Sequence, residues 1–231
     1  MALQQGVLYM VQSAFRPGRR TVLRALGLAG FGALTRRATQ RVTAQSATRV
    51  PILAYHNIDY SGSQFATTPE MLEAECVWLA TNGYTTISVY QLWNAISAGA
   101  PLPTNPVLLC NDDGWPGTTT FAATLSAHGM IGNYFINNYS PLSASDLQYL
   151  ALNGPVQSHT ANHQMMSHLD PATQIAEIAD NQAYISGITG QPVQFLAWPF
   201  GDFNASALQA ARDCGILAAF GLGGVACHVG Q

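Results

Sequence analysis

Two adjacent aspartates are the first candidates in this sequence for a catalytic or metal-binding site. Asp112 and Asp113 directly follow the apolar run at 107–110 and precede Gly114. Two carboxylates at the end of a buried segment repel each other unless a cation offsets the repulsion. Neighbouring side chains on an extended segment point apart. One aspartate could therefore ligate a metal while the other acts as a base, although the pair alone is also typical of a solvated turn.

Two histidines follow a second apolar run, at 156–158. The spacing of His159 and His163 would place both rings on one face of a helical turn, and imidazole is a common zinc ligand. Thr160 follows the first histidine, which excludes a His-Glu-x-x-His protease. With Asp113 the histidines would form a set of three ligands that leaves positions for water and substrate. Taken alone, the histidine pair could equally be a coincidence.

A third segment, Trp198-Pro199-Phe200-Gly201, ends the apolar run at 193–198. An aromatic-Pro-aromatic-Gly turn can shape the wall of a pocket and expose a backbone N–H. Alone, such a turn is more typical of a structural loop.

The elements that must position these residues alternate along the chain. Strand-like runs are predicted at 51–55, 85–89, 107–110, 131–136, 156–158, 193–198 and 216–220. Helices are predicted at 69–81, 91–97, 118–128, 143–152, 173–188 and 205–213. Repeated strand–helix units favour an α/β fold with a parallel sheet that can close into a barrel, and chemistry in such barrels collects at the carboxyl ends of the strands.

Charge divides the chain into two parts. Eight of the nine arginines precede Val50, and Arg19-Arg20 opens a segment whose apolar stretch, 25–34, is shorter than the roughly 20 residues that span a bilayer. We expect residues 1–47 to be a twin-arginine-like signal and 48–231 to be one catalytic domain, exported to the periplasm or the exterior. A retained basic tail is the alternative.

The remainder of the chain is acidic. From residue 50 onward one arginine stands against twelve acidic residues, a net charge of −11. This charge excludes nucleic acid as a partner, and no later segment is apolar enough to span a membrane. The four cysteines show no C-x-x-C spacing, so buried free thiols are expected. We also expect a monomer.

In this order and at these strand ends, the three segments resemble the polysaccharide deacetylase family, the carbohydrate esterases of family 4. That family carries Thr-Phe-Asp-Asp-Gly, then Ser-His-Ser/Thr-x-x-His, then a turn such as Tyr-Pro-Tyr-Gly. The matching residues here are 110–114, 158–163 and 197–201. The opening run 51–56 is also similar to exported members that act on poly-N-acetylglucosamine. The resemblance extends from about residue 50 to residue 224.

The resemblance implies a distorted β/α barrel of about seven parallel strands that removes acetyl groups from N-acetylated sugars. Asp113, His159 and His163 would hold the metal, with zinc expected and cobalt or nickel as alternatives, and Asp112 would be the general base. The metal would polarise the acetyl carbonyl and acidify a water, whose pKa can fall toward about 7. The metal and the backbone N–H of Phe200 would stabilise the oxyanion.

Residues around the expected cleft are candidates for substrate binding: His56, Trp115, Trp198 and Phe200. His56 ends the first strand, and Trp115 follows the aspartate pair. Trp198 and Phe200 could stack on a sugar ring, with core packing as the alternative.

The sequence also departs from the family pattern. Cys110 and Asn111 replace Thr and Phe, and Ala197 stands where many members carry an arginine that pairs with the base. The Leu-x-His whose histidine is the general acid is not found before Gln231, which predicts a barrel incomplete at its C-terminus. Two alternatives to an N-deacetylase therefore stay open: a catalytically impaired carbohydrate-binding remnant, and an esterase of the acetyl-xylan type.

Overall fold

The fold is an alternation of strands and helices. The computed structural model describes residues 4–10, 48–222 and 227–229, with side chains from 49 to 222. The strands in these ranges are β1 (Gln4–Met10), β2 (Thr48–Val50), β3 (Ile52–Tyr55), β4 (Asn57–Ile58), β5 (Ala66–Thr67), β6 (Thr85–Thr86), β7 (Pro106–Asp113), β8 (Asn133–Ile136), β9 (Val156–Ser158), β10 (Phe195–Ala197), β11 (Ala218–Leu222) and β12 (Cys227–Val229). The α-helices are α1 (Pro69–Thr81), α2 (Val89–Ala98), α3 (Thr118–Ala127), α4 (Ala144–Asn153), α5 (Pro171–Thr189) and α6 (Ala205–Asp213).

Eight strands form one sheet that closes on itself. Its order is β3-β1-β11-β10-β9-β8-β7-β6, and β3 also pairs with β7. Within the described ranges, seven of these strands, β3 and β6 to β11, pair in parallel. The result confirms the predicted distorted β/α barrel of about seven parallel strands.

The eighth strand, β1, runs antiparallel and lies between the first and last parallel strands. Its backbone pairs Gly6 with Leu222 and Gln4 with Ala54. No feature of residues 4–10 predicted a strand there, and their pairing covers the sheet edges that an incomplete barrel would expose. Residues 11–47, with the paired arginines and the apolar stretch, lie outside the described residues, so the signal segment stays a prediction.

Strand β7 is buried on both faces, as expected for a parallel sheet covered by helices. Val107 and Leu109 pack in the cluster under α1, α3 and α4, whereas Leu108 and Cys110 pack with Phe135 in the cluster around the barrel interior. Side chains on a strand alternate between faces, so the two clusters follow directly from the apolar run. Full burial of each large side chain contributes about 1.5–3 kcal/mol.

Capping residues decide where the helices begin. Thr68 caps α1 through the N–H of Met71, with Pro69 at the first position, as predicted. The predicted strand at 85–89 is shortened to two residues because Ser88 and Gln91 form a reciprocal capping box that begins α2 at Val89. Likewise α5 begins at Pro171, before the predicted residue 173, because the side chain of its N-cap aspartate accepts two backbone N–H bonds.

Two further expectations concern membrane spans and thiols. No helix among the described residues combines the length and apolarity needed to cross a bilayer. Cys76 and Cys110 are buried free thiols and Cys214 is a partly exposed one, while the side chain of Cys227 lies outside the described residues.

Candidate metal centre and active site

Strand β7 carries both aspartates to the carboxyl end of the barrel. It extends to Asp113, beyond the predicted end at residue 110, because Asp112 and Asp113 still pair with β8. The chain then turns sharply, with φ of +72° at Asp113 and +77° at Gly114. A Cβ at Gly114 would lie 2.6 Å from Ser140 Oγ, which donates a hydrogen bond to the carbonyl of Gly114. Only glycine fits this position without strain.

The two histidines stand on the loop that follows β9. The prediction that they share one face of a helical turn is wrong, because Thr160 and His163 have φ of +62° and +51°. The backbone between the histidines bonds to neighbouring elements instead of to itself: Ala161 N–H donates to Glu177 O, and Asn138 N–H donates to Ala161 O. Left-handed backbone at non-glycine residues costs about 1–3 kcal/mol each. The surroundings must therefore hold the loop in place.

Asp113, His159 and His163 converge despite this different origin. Asp113 Oδ1 lies 3.2 Å from His159 Nε2 and 3.0 Å from His163 Nε2. One ligand atom from each of the three residues lies within 4.8 Å of the others. The second oxygen, Asp113 Oδ2, accepts a hydrogen bond of 3.0 Å from Trp115 Nε1. The three predicted metal ligands thus form one cluster.

The hydrogen bond on the far side of His159 decides how this ring can act. Its Nδ1 lies 2.8 Å from the carbonyl oxygen of Ala197. A carbonyl only accepts, so Nδ1 carries the proton and Nε2 of the neutral ring presents a lone pair. That lone pair faces the Asp113 carboxylate, an arrangement that needs a cation or a proton between the two atoms. Anchoring of the outer imidazole nitrogen is typical of histidines that ligate metals.

The donor set fits a divalent metal. Two imidazole nitrogens and one carboxylate oxygen are the ligands of three-residue zinc sites that keep a position open for substrate. Without metal, protons take part in the same contacts. Burial lowers the pKa of His159, but the adjacent Asp113 and Asp112 outweigh it and raise the pKa above its ordinary value. Burial raises the pKa of Asp113, but both histidines outweigh it and hold the pKa well below its usual range.

Asp112 lies beside this cluster in a different environment. Its Oδ1 is buried and has no hydrogen-bond partner among the described residues. Burial raises the pKa of Asp112, while the charges of His159 and His56 partly offset the effect. A carboxylate with a raised pKa and a free oxygen is suited to accept a proton.

The cluster lies in a cavity of about 520 Å³, within the ~300–1,000 Å³ range of small-molecule sites. Its wall includes the exposed aromatic rings of Phe65, Trp115 and Phe200. The part of the wall that the structure describes contains neither lysine nor arginine. The exposed rings therefore offer a ligand apolar faces on which it can pack.

The predicted substrate-binding residues all line this cavity, although they present different surfaces. His56 packs against Phe65 with ring centroids 5.2 Å apart, and Phe200 contacts the His163 ring at 4.7 Å. Phe200 has φ of 57° and is 55% exposed. Trp198 is only 2% exposed, which favours the alternative of core packing over stacking on a sugar ring. Its indole packs on Phe203 in the core.

Asn111, which replaces the family's phenylalanine, links two strand ends. Its side-chain amide is fully buried, donates to the carbonyl of His56 over 2.7 Å and accepts from Thr118 Oγ1 over 2.6 Å. The substitution thus replaces apolar packing with hydrogen bonds between β7, the end of β3 and α3. Those bonds hold the backbone of His56 at the cavity.

Two groups of residues near the site were not predicted. Phe65 stands in a loop without a recognisable pattern, so the sequence carries no signal for it. Gln174, Glu177 and Asn181 are buried on α5, and their spacing of three and four residues is a signal: polar side chains recur on one helical face where apolar ones are expected.

Comparisons with known proteins identify a family and related structures. The family model for polysaccharide deacetylase matches residues 99–219. The Bacillus subtilis (strain 168) protein YxkH, named as a polysaccharide deacetylase, is 28% identical over 174 residues, which is 72% of this chain and 62% of YxkH. The chain thus spans less than two thirds of that relative's length.

Solved structures share the fold at lower identity. The Streptococcus pyogenes deacetylase PplD, in complex with acetate, matches with a TM-score of 0.69 and 20% identity, over 74% of this chain and 82% of PplD. IcaB from Ammonifex degensii matches with a TM-score of 0.66 and 18% identity, over 73% and 81%. A de-N-acetylase from Aggregatibacter actinomycetemcomitans matches with a TM-score of 0.65 and 18% identity, over 73% and 86%.

A distorted β/α barrel with an aspartate pair and two histidines at its carboxyl end defines a class of hydrolytic deacetylases. Because the family model covers more than half of its length, this chain belongs to the polysaccharide deacetylase family.

Proposed function

We propose that this chain is a metal-dependent hydrolase that removes N-acetyl groups from a polysaccharide or oligosaccharide of the N-acetylglucosamine type. The observation that supports the proposal is the cluster of Asp113, His159 and His163, with the free carboxylate of Asp112 beside it. The anchored Nδ1 of His159 fixes the tautomer that a metal ligand needs. Zinc matches this donor set, and cobalt or nickel could replace it.

The proposed reaction is hydrolysis of an amide. A bound divalent cation would supply Lewis-acid polarisation of the acetyl carbonyl and lower the pKa of a water. Asp112 accepts the proton of the attacking water as its oxygen bonds to the acetyl carbon. The carbon–nitrogen bond then breaks, and acetate and the free amine of the sugar are the products. The backbone N–H of Phe200 is our candidate donor to the oxyanion.

The departing nitrogen needs a proton, and His56 is our candidate for its source. Among the described residues of the cavity wall, His56 is the titratable group that belongs neither to the ligand cluster nor to the aspartate pair. Its position between Phe65 and the cavity, fixed through Asn111, leaves the ring close to a bound sugar.

The cavity wall supports a sugar as substrate. The C–H faces of a sugar ring can pack on exposed aromatic rings such as Phe65 and Trp115. We further propose, from the paired arginines and the apolar stretch at 25–34, that the protein acts in the periplasm or outside the cell.

The proposal is tested by incubating the purified full chain with N-acetylglucosamine oligomers in the presence of zinc or cobalt. We expect release of acetate together with free amine, and loss of both after treatment with a chelator. The same assay on acetylated xylan separates amide from ester hydrolysis. Folded, zinc-loaded protein that releases no amine from the oligomers would contradict the proposal.

The role of His56 is tested with His56→Gln. We expect kcat to fall by about 10²–10⁴-fold, the usual value of general acid–base help, with zinc affinity unchanged. His128→Gln is the matched control, since His128 lies outside the cavity wall and pairs with Glu73 on α1. A His56→Gln enzyme with the kcat of the control would show that the proton comes from elsewhere.

A further inference from the structure

Three polar side chains on α5 face the segments that carry the active site. Gln174, Glu177 and Asn181 are separated by three and four residues, so they share one face of the helix. All three are buried, with 3% exposure at Glu177 and none at the other two. A buried polar side chain costs free energy unless it forms hydrogen bonds. The hydrogen-bond partners of Glu177 and Asn181 therefore show which segments α5 holds in place.

The Glu177 side chain bonds to Asn162, which directly precedes His163 in the chain. Its Oε2 accepts from the backbone N–H of Asn162 over 2.7 Å, and its Oε1 accepts from Asn162 Nδ2 over 2.5 Å. The carbonyl of Glu177 also accepts from Ala161 N–H over 2.8 Å. One residue of α5 therefore bonds to two consecutive residues of the histidine loop.

Asn181 holds the opposite side of the same loop. Its Nδ2 donates to the carbonyl of Ile136 over 3.0 Å and to Asn138 Oδ1 over 2.8 Å. The N–H of Asn138 in turn donates to the carbonyl of Ala161 over 3.0 Å. The loop is thus held between the end of β8 and α5.

The Glu177 carboxylate forms no ion pair within the part of the chain that the structure describes. Both of its carboxylate oxygens accept hydrogen bonds from Asn162 instead. Because Thr160 and His163 are both left-handed, the loop conformation depends on such external bonds. Asn162 lies next to His163 in the chain, so any shift at Asn162 is transmitted to the His163 ring.

We propose that Glu177 is a positioning residue for the metal centre. Its carboxylate fixes Asn162 by two hydrogen bonds, and this clamp sets the separation of His159 and His163 and thereby the affinity for the metal. The inference rests on the proposed function, since it assigns to α5 the task of shaping that metal site.

Glu177→Gln tests the clamp with little change in size. Glutamine offers one acceptor oxygen, and its NH₂ group would face a donor of Asn162. We expect zinc affinity to fall by about 10–100-fold, the usual effect of losing a contact behind a metal ligand. Glu73→Gln on α1 is the matched control, since Glu73 pairs with His128 outside the cavity, and we expect it to bind zinc like the unaltered chain. Zinc affinity is measured by competition with a chromophoric chelator, and circular dichroism of the metal-free proteins reports folding.

Asn162→Ala keeps the inference testable if Glu177→Gln does not fold. The Asn162 side chain is exposed, so its removal deletes one of the two bonds without opening the core. We expect a smaller loss of zinc affinity than for Glu177→Gln, and a double variant no weaker than Glu177→Gln alone. Affinities of both single variants within error of the unaltered chain would overturn the inference while leaving the proposed function intact.

Hydrogen exchange separates this inference from the proposed function. If the unaltered chain binds no zinc, the proposed function fails, but the clamp can still be read in metal-free protein. We expect the amide of Asn162 to exchange faster in Glu177→Ala than in the unaltered chain, because that N–H then loses its side-chain acceptor. Equal exchange rates would overturn the clamp.

Discussion

The metal centre is assembled from two regions that hold their ligands in different ways. Asp113 ends β7, a strand that pairs with β3 on one side and β8 on the other. His159 and His163 stand on a loop with two left-handed residues, and this loop is tied to α5 and to the end of β8. The sheet fixes the first region through its own ladder, whereas the second depends on backbone and side-chain groups of other elements.

Because of this difference, substitutions in the two regions should have different consequences. At the end of β7 a side chain can change while the backbone stays in register, so substitutions there should remove a chemical group and little else. Beneath the histidine loop, a substitution removes support and shifts ligands that are themselves unaltered. Two substitutions at the end of β7, compared with Glu177→Gln on α5, test this difference.

Asp113→Asn should have the largest effect. The amide keeps the size of the side chain but removes the negative charge that faces both histidine rings, so a metal would lose an anionic ligand. We expect zinc affinity to fall by more than the ~10–100-fold loss seen when a contact behind a ligand is removed, and hydrolysis to be lost with it. Competition with a chelator measures the affinity, and the metal-free melting temperature serves as control. Zinc binding at the level of Glu177→Gln would mean that Asp113 is not a ligand.

Asp112→Asn, one residue away on the same strand, should separate binding from chemistry. The amide cannot accept the proton of the attacking water, so we expect kcat to fall by about 10²–10⁴-fold. Zinc affinity should stay near that of the unaltered chain, because Asp112 lies outside the ligand cluster. Acetate release under saturating zinc measures the first quantity and chelator competition the second. An active Asp112→Asn enzyme would remove Asp112 from the role of base.

The β7 region could be predicted from the sequence because its information is local. An apolar run, two carboxylates and a glycine within eight residues indicate a buried strand that ends in a turn, and the structure places Asp112, Asp113 and Gly114 accordingly. The barrel likewise followed from alternating elements with recognisable caps, such as Thr68 and Ser143.

The histidine loop could be predicted only in part because its conformation depends on distant residues. The spacing of His159 and His163 identified the pair but suggested a helical turn, since the left-handed residues are stabilised by bonds to Glu177 and Asn138 that the local sequence does not encode. The same limit applied to Trp198, whose burial depends on Phe203 and α6. Strand β1 had no signal at all.

The histidine loop should also respond to pH, an effect smaller than those of the substitutions. Because the folded-state pKa of His159 is raised, its contribution to the stability of the metal-free protein is fully present below the unfolded value of about 6.5 and is lost as pH rises through the folded value. Zinc competes with the same proton, so its affinity should rise by about tenfold per pH unit for each proton displaced until His159 is neutral. The gain in melting temperature on adding zinc should therefore widen as pH rises through the folded-state pKa of His159. Asp113→Asn supplies the control, since without the carboxylate the gap should stay small at every pH; a gap in the unaltered chain that narrows as pH rises would contradict histidine ligation.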